Sequence, residues 1–403
     1  RKCLNLHHGV VIPDKFMEII HKATKEPGFD DSWELIDPHS GEVKKVVSAR
    51  TLWVKLLQNR METGEPYLMF EDAVQADLPD FQKRKGLQVN HSNLCSEITL
   101  ATDEERTAVC CLSSVNLEYY DEWKKVPAFI PDLIRMLDNV LESFIQNAPP
   151  QLERAQFSAM RERSLGLGAM GFHAYLQKNG IPFESPIASA INYEMFDSIK
   201  SQAQNTTEEL AVERGACPDD DSCSVRNAHL LAIAPNASSS IICGNTSPSI
   251  EPYRANAYTQ KTKSGSYLQK NKFLEEVLET YGQNTDNTWK SIVTNKGSVQ
   301  HLEFLSEEER EVFKTAVEIN QSWVIEHASQ RQPFICQSQS VNLFFPPDVN
   351  KGELHNVHML AWAKNMKTLY YLRSEAISRA DNVSNKIKRE IIFEQQDCLS
   401  CEG

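Results

Sequence analysis

Apolar residues recur along this chain with the helical period in several long stretches and form short unbroken runs between them. Over 13–23, Phe16, Ile19 and Ile20 share one face behind Pro13, which predicts an amphipathic helix. Leu52, Val54, Leu56 and Leu57 predict a second helix over 48–63, and 128–147, entered through Pro131-Asp132, reads as a third. Helical periodicity returns at 188–214, 272–281 and 306–328. The apolar runs at 230–235 and 368–372 predict buried strands, and Val43-Lys44-Lys45-Val46-Val47 a more exposed one. Long helices alternating with short buried strands predict an α/β fold with mostly parallel pairing. From about Ser374 to Gly403 the charges mix and large apolar residues are few until Ile391-Ile392-Phe393, so a mobile tail over 374–403 is expected after a folded portion over 1–373.

Composition narrows the class. The 403 residues carry a net charge of −13, which argues against a nucleic-acid scaffold, since that would need a basic face for phosphates. No apolar run approaches the ~18 residues of a membrane-spanning helix. The opening Arg1-Lys2-Cys3-Leu4-Asn5 lacks an initiator Met and a signal-peptide core, so the reading begins partway through a longer frame or a processed product. The 10 cysteines are too irregularly spaced for a disulfide-stapled secreted scaffold, and reduced thiols in a cytoplasmic setting are expected.

Chemistry concentrates in a few segments. Asn93, Cys95 and Glu97 alternate within Asn93-Leu94-Cys95-Ser96-Glu97; on an extended loop an amide, a thiol and a carboxylate would converge on one face, whereas a helix would disperse them. Alone, such a triplet reads first as a buried cysteine with incidental polar neighbours. Cys110 and Cys111 are adjacent, so on a strand only one of them can face a site. Cys398-Leu399-Ser400-Cys401 lacks the second ligand pair that zinc needs, and suits thiol–disulfide exchange from a flexible end. The apolar run at 230–235 breaks into Asn236-Ala237-Ser238-Ser239-Ser240; small residues opening a helix make an anion site or, more plainly, a serine N-cap. Tyr370 and Tyr371 are consecutive, and for their rings to stack the strand must bend there.

Other signals carry less. Gly166-Leu167-Gly168-Ala169-Met170-Gly171 spells a dinucleotide fingerprint, but no strand precedes it and the reading is rejected. His7-His8 and Glu353, His355 and His358 lack a complete ligand set, so satisfied or solvated histidines are expected and no metal is assigned.

In their order and spacing these segments resemble the large catalytic subunit of class I ribonucleotide reductase, of phage or bacterial type and with a split chain. The resemblance implies the later half of a ten-stranded α/β barrel with a central finger loop near 88–100. It implies that Cys95 becomes a thiyl radical that takes the 3′ hydrogen of a ribonucleoside diphosphate, with Glu97 as base and Asn93 as hydrogen-bonding amide. Cys110, rather than Cys111, would be half of a redox-active disulfide; Pro235, Asn236, Ala237, Ser238 and Ser239 would cradle the substrate diphosphate, with Asn93, Leu94, Cys95, Ser96 and Glu97 completing the substrate contacts. Tyr370 would be the inner and Tyr371 the outer radical relay, and Cys398 and Cys401 the shuttle reduced by thioredoxin or glutaredoxin. Arg163-Ser164-Leu165-Gly166-Leu167-Gly168 resembles a packing segment of the same family. The implied partner is a metal-containing, radical-generating small subunit; no cofactor is expected in this chain. The family's partner cysteine strand is not found before Cys95, where Cys3 alone stands, so a second chain is expected to bring the N-terminal half, with its ATP and deoxynucleotide effector sites. A non-catalytic assembly or regulatory module, and a simple thiol oxidoreductase using Cys398 and Cys401, are the competing readings.

Overall fold

Helix ends follow local chemistry. The computed structural model describes residues 6–262 and 265–374, so Cys3, Cys398 and Cys401 lie outside it. Asp14–Lys25 buries Phe16, Met17 and Ile20, the face expected from the periodicity. Ala49–Thr63 starts where the Ser48 hydroxyl accepts the Thr51 N–H and stops at Gly64, whose φ of 82° is the left-handed conformation that ends helices. Phe129–Asn147 buries Ile130, Ile134, Leu137 and Leu141 and packs on Pro186–Arg214. The region expected as one helix over 306–328 is two, Glu307–Val312 and Gln321–Arg331. Asn320 causes the second start, because its side chain accepts the Ser322 N–H and an amide held that way opens a new helix.

The strands form part of a barrel. Gly9–Ile12 runs parallel to Tyr67–Phe70, with Gly9 opposite Tyr67, and Thr368–Leu369 flanks Tyr67–Phe70 in the antiparallel sense. Cys111–Asn116 runs parallel to Leu165–Met170 along its whole length, and Leu372–Ser374 runs parallel to Leu343–Phe345. Single parallel bridges, Leu167 to Leu231 and Ile233 to Gln339, join these pairs into an arc that does not close among the described residues. Pairing around the arc is therefore mostly parallel. The exposed strand expected at 43–47 is Val43–Ser48, in an antiparallel hairpin with Ser32–Ile36.

Two strand expectations change. Residues 230–235 form isolated bridges and no regular strand, because the Leu230 and Leu231 amides lie 3.0 and 3.2 Å from the Cys336 sulfur, where ladder carbonyls would otherwise stand. The run at 368–372 breaks at the two tyrosines, whose backbone is satisfied from the side: Arg60 Nη2 donates to the Tyr370 carbonyl at 3.1 Å, and the Tyr371 N–H donates to Asn342 Oδ1 at 3.1 Å.

The main core fills the space between this arc and the helices outside it, through residues such as Trp53, Leu117, Ile134, Leu167, Phe172, Phe196 and Ile233. A separate cluster around Phe273, Leu278, Trp289, Ile292 and Phe313 packs the helices Lys272–Thr280 and Asp286–Thr294.

Candidate active site

The finger loop is closed at its base by short-range polar contacts. The Thr102 N–H donates to the Gln88 carbonyl, Asn90 Nδ2 donates to the Thr102 carbonyl at 2.7 Å, and the Gln75 amide brackets both backbone groups of Val89. At the tip the chain turns: the Ser96 N–H donates to the Asn93 carbonyl at 3.2 Å, Asn93 Oδ1 accepts the Ile98 N–H, and Ser96 has φ of 70°. Asn93 and Glu97 do converge, but through this turn and not through the alternating face of an extended loop. The left-handed Ser96 reverses the chain and brings the residues on either side of Cys95 together. Asn93 and Leu94 remain exposed, whereas Cys95, Ser96 and Glu97 are buried.

Hydroxyls from distant segments clamp the tip. The Ser340 hydroxyl lies 2.5 Å from the Cys95 carbonyl and 3.2 Å from Glu97 Oε2; the Ser338 N–H donates to the Glu97 carbonyl; Thr368 Oγ1 donates to the Ser96 carbonyl at 2.9 Å. These clamps were not anticipated. A signal was present: Gln337-Ser338-Gln339-Ser340 is a polar run between Ile335 and Val341, and all four side chains are almost fully buried. Buried polar groups are normally hydrogen-bonded, so such a run marks a segment with specific partners.

Cys95 shares a small buried cluster with Tyr67 and Tyr370, and the Tyr370 hydroxyl donates to its sulfur at 3.5 Å. The rings of Tyr370 and Tyr371 stand 4.5 Å apart between centroids, tilted by 54°, in the strand break that the stacking of neighbours requires. Burial, then the bond to Cys95, pushes the Tyr370 phenol far above its ordinary value, so it stays protonated. Burial also raises the Glu97 carboxyl, against the hydrogen bonds from Asn93 and Ser340.

Cys110 and Cys111 face opposite ways. Cys110 packs beside Ile98, Leu100 and Ala232 on the finger side and accepts from Gln337 Nε2 at 3.2 Å, while Cys111 packs against the main core. Burial raises both thiols above their ordinary value. Gly166 makes room for Cys110: a Cβ there would stand 2.7 Å from its sulfur and 2.5 Å from Leu112 Cδ2. Gly166 and Gly168 lie inside the strand Leu165–Met170, where the dinucleotide motif would place them in the turn after it, and only Gly171 stands at the junction with the helix Phe172–Lys178.

The serine loop follows the Ile233 bridge, one segment away from Ser338 and Ser340. Asn236 is buried with φ of 53°, and its Oδ1 accepts from Ser114 on the strand that follows Cys110. Pro235, Ser238 and Ser239 are half-buried and Ala237 is exposed. The helix opened there is one short turn, Ser239–Ile242, and no side chain caps it, so the plain N-cap reading does not hold. Ser239 Oγ is buried without a hydrogen-bond partner among the described residues, which leaves a polar atom at the loop.

The discounted histidines serve the structure. His355 Nδ1 accepts from Trp53 Nε1 at 3.0 Å, and His358 Nε2 accepts from the fully buried Arg60 at 3.2 Å. Burial lowers both imidazoles below their ordinary value. His7 lies 2.7 Å from Glu65.

Cys95 thus lies on a partial α/β barrel beside a buried carboxyl and a phenol pair. The family model for the ribonucleotide reductase barrel domain matches residues 1–224 and 221–372. The chain belongs to that family. Over 406 residues it is 47% identical to a Frog virus 3 protein described as a ribonucleoside-diphosphate reductase large subunit, covering all of this chain and 70% of that protein. It is 43% identical to the large subunit of Invertebrate iridescent virus 3, again over its whole length and 72% of the relative. Among solved structures it resembles the Actinobacillus ureae class Id ribonucleotide reductase alpha subunit, with a TM-score of 0.81 and 39% identity, covering 92% of this chain and 66% of that one.

Proposed function

We propose that this chain is the catalytic part of a ribonucleoside-diphosphate reductase, supplying deoxyribonucleoside diphosphates for DNA synthesis. The observation that carries the reading is the Tyr370 hydroxyl 3.5 Å from the Cys95 sulfur, beside the buried Glu97. A separate small subunit, holding the metal, delivers the radical to Tyr371. Tyr370, once oxidised, takes the Cys95 hydrogen, and the sulfur then takes the 3′ hydrogen of the ribose: an S–H bond forms as a C–H bond breaks. Glu97 accepts the 3′-hydroxyl proton, with Asn93 holding its carboxyl. One of two thiols, Cys110 and its partner, gives the proton with which the 2′ hydroxyl leaves as water; the pair supplies the second hydrogen and the two electrons to the 2′ carbon and ends as a disulfide, and Glu97 returns its proton to the 3′ oxygen. The hydrogen on Cys95 returns to the 3′ carbon, restoring the sulfur radical.

Residues 235–239 and the finger tip, 93–97, bind the substrate in this scheme. Residues 1–373 form the catalytic portion; Cys398 and Cys401, outside the described residues, re-reduce the disulfide and are reduced in turn by thioredoxin or glutaredoxin in the cytoplasm. The longer relatives support a further segment that closes the barrel, brings the partner thiol and binds nucleotide effectors, on this chain or a companion one.

The test is Cys95→Ser in the reconstituted complex with its small subunit. Product formation lost with assembly intact supports catalysis here; unchanged product formation rejects it in favour of an assembly module.

A further inference from the structure

The two rings of the tyrosine pair differ in their surroundings, and the difference is a charge. Arg373 stands two positions after Tyr371, where the chain re-enters a strand, so the two side chains share a face. The guanidinium of Arg373 lies 4.1 Å from the centroid of the Tyr371 ring. Aromatic neighbours take other sides of that ring: Tyr67 meets it nearly edge-on at 86° with centroids 5.0 Å apart, and Tyr370 stands 4.5 Å away. Among the described residues no cation lies over the ring of Tyr370; Arg60 reaches only its backbone carbonyl.

The backbone fixes both partners of this contact. The Leu343 N–H donates to the Tyr371 carbonyl at 3.0 Å, and Arg373 pairs with Phe344 in the parallel ladder. On either side of Arg373, the Leu372 N–H donates to the Gly64 carbonyl at 3.1 Å and the Ser374 hydroxyl to the Met61 carbonyl at 3.2 Å. The charge itself is not paired away. Arg373 Nε is buried without a hydrogen-bond partner, and the side chain has no ion pair among the described residues. Glu251, buried nearby against Asn342, is engaged by Asn342 Nδ2 at 2.6 Å and by Arg254 at 3.5 Å. An unpaired, partly buried cation is costly to keep, and what this one faces is a π cloud.

We propose that Arg373 is a positioning residue for the unpaired electron: its guanidinium makes the outer ring, Tyr371, harder to oxidise than the inner one, so that the radical settles toward Tyr370 and Cys95. The inference rests on the reading of Tyr370 and Tyr371 as the radical relay. In that reading Tyr371 gives an electron and its phenolic proton to the radical of the small subunit. It takes both back from Tyr370, which in turn takes a hydrogen atom from Cys95. The face of a neutral phenol is negative and attracts the cation; the oxidised ring has one π electron fewer and attracts it less. The contact therefore stabilises reduced Tyr371 and opposes a stop there. Packing alone would be served equally by methionine.

The test uses the complete large subunit with saturating radical-generating small subunit. Tyr371→Phe checks the underlying reading: if it turns over normally, the relay assignment has failed and with it the ground for the bias. With Tyr371→Phe inactive, Arg373→Met and Arg373→Gln, which remove the charge, are expected to lower kcat about fivefold with KM for the diphosphate unchanged, the size of one partly desolvated cation–π contact. Both should fold, because removing an unpaired cation strands no partner charge. Arg373→Lys keeps the charge and should lose less than either. The decisive measurement places at position 371 a fluorotyrosine harder to oxidise than tyrosine. It should slow the parent but speed Arg373→Met, since it restores the bias that the charge supplied. Unchanged kcat in both neutral variants overturns the proposal, and so does a fluorotyrosine that slows Arg373→Met as it slows the parent. Equal losses in Arg373→Lys and Arg373→Met overturn it as well, because the planar stack and not the charge then matters. A fall in kcat with a comparable rise in KM does the same, since it marks general damage to the site.

Discussion

The hydroxyl of Tyr370 points at the sulfur of Cys95 from 3.5 Å, and both residues are buried. Burial keeps the phenol protonated, so what can pass between them is a hydrogen atom, electron and proton together, along one contact. Substitutions on either side of that contact follow from it. Tyr370→Phe keeps the ring and removes the hydroxyl that donates to the thiol; Cys95→Ser keeps the size and replaces a weak S–H bond by a strong O–H bond. Each is expected to leave less than ~0.1% of turnover, since groups that act as one unit fail together. Unfolding free energies should stay within about 1 kcal/mol of the parent. Product assays with calorimetry check both; substantial residual turnover in either variant would contradict the contact's role.

Glu97 links function to pH. Its folded carboxyl titrates above the ordinary carboxylate value, so between the two values the folded state holds a proton that the unfolded chain has released. Stability from this group is therefore full below the ordinary value and falls as pH rises through the raised one. In the proposed reaction Glu97 acts as the base and needs the ionised form, so activity is expected to rise over the same interval. Glu97→Gln, which cannot ionise, should gain on the order of 1 kcal/mol at neutral pH while losing turnover. Unfolding curves at acidic and neutral pH test this; a substitution that destabilises at neutral pH shows that the ionised form is welcome there.

The finger clamps should be measurable one by one. Ser340→Ala and Thr368→Val each strand a buried carbonyl, that of Cys95 or that of Ser96, at a cost of about 1–3 kcal/mol. Because Ser338 Oγ lies 2.6 Å from Thr368 Oγ1, the Thr368 variant also disturbs a second hydroxyl and should be the worse of the two. Denaturation midpoints give the ranking, and hydrogen exchange at 93–98 should quicken in both; an unaltered exchange pattern would mean that the loop is held elsewhere.

The two strand glycines make a graded pair. A methyl at residue 166 meets Leu112 Cδ2 and the Cys110 sulfur, and Leu112 is 42% exposed and free to swing outwards. At residue 168 it meets the Ala232 carbonyl at 2.6 Å, which is backbone and cannot yield. Gly166→Ala should cost about 1–3 kcal/mol, with Gly168→Ala above that range. Thermal midpoints in the reverse order would place the tight packing elsewhere.

Much of the scaffold was legible because its causes are local. The face of Asp14–Lys25, the Ser48 and Gly64 boundaries of Ala49–Thr63, and the opposite facings of Cys110 and Cys111 follow from residues within one or two turns of each other. The break within 313–320 was missed although its cause, the Asn320 cap, is equally local, because apolar periodicity continues across it. The third tyrosine had no local signal. Tyr67 sits in an unbroken buried strand, and only the pairing of Tyr67–Phe70 with Thr368–Leu369 brings its ring against the pair.

Residue identity and spacing alone determined which groups are available: a thiol and a carboxyl two positions apart, adjacent phenols, a serine-rich break after an apolar run. Tertiary structure decided how they meet. The left-handed Ser96, the hydroxyl clamps from Ser340 and Thr368, and the Arg60 bond that holds open the strand at Tyr370 all join segments far apart in the chain. A periodic pattern acts over a turn or a strand pair, whereas convergence at 3 Å is settled by the packing of whole elements, and no short window of sequence contains that information.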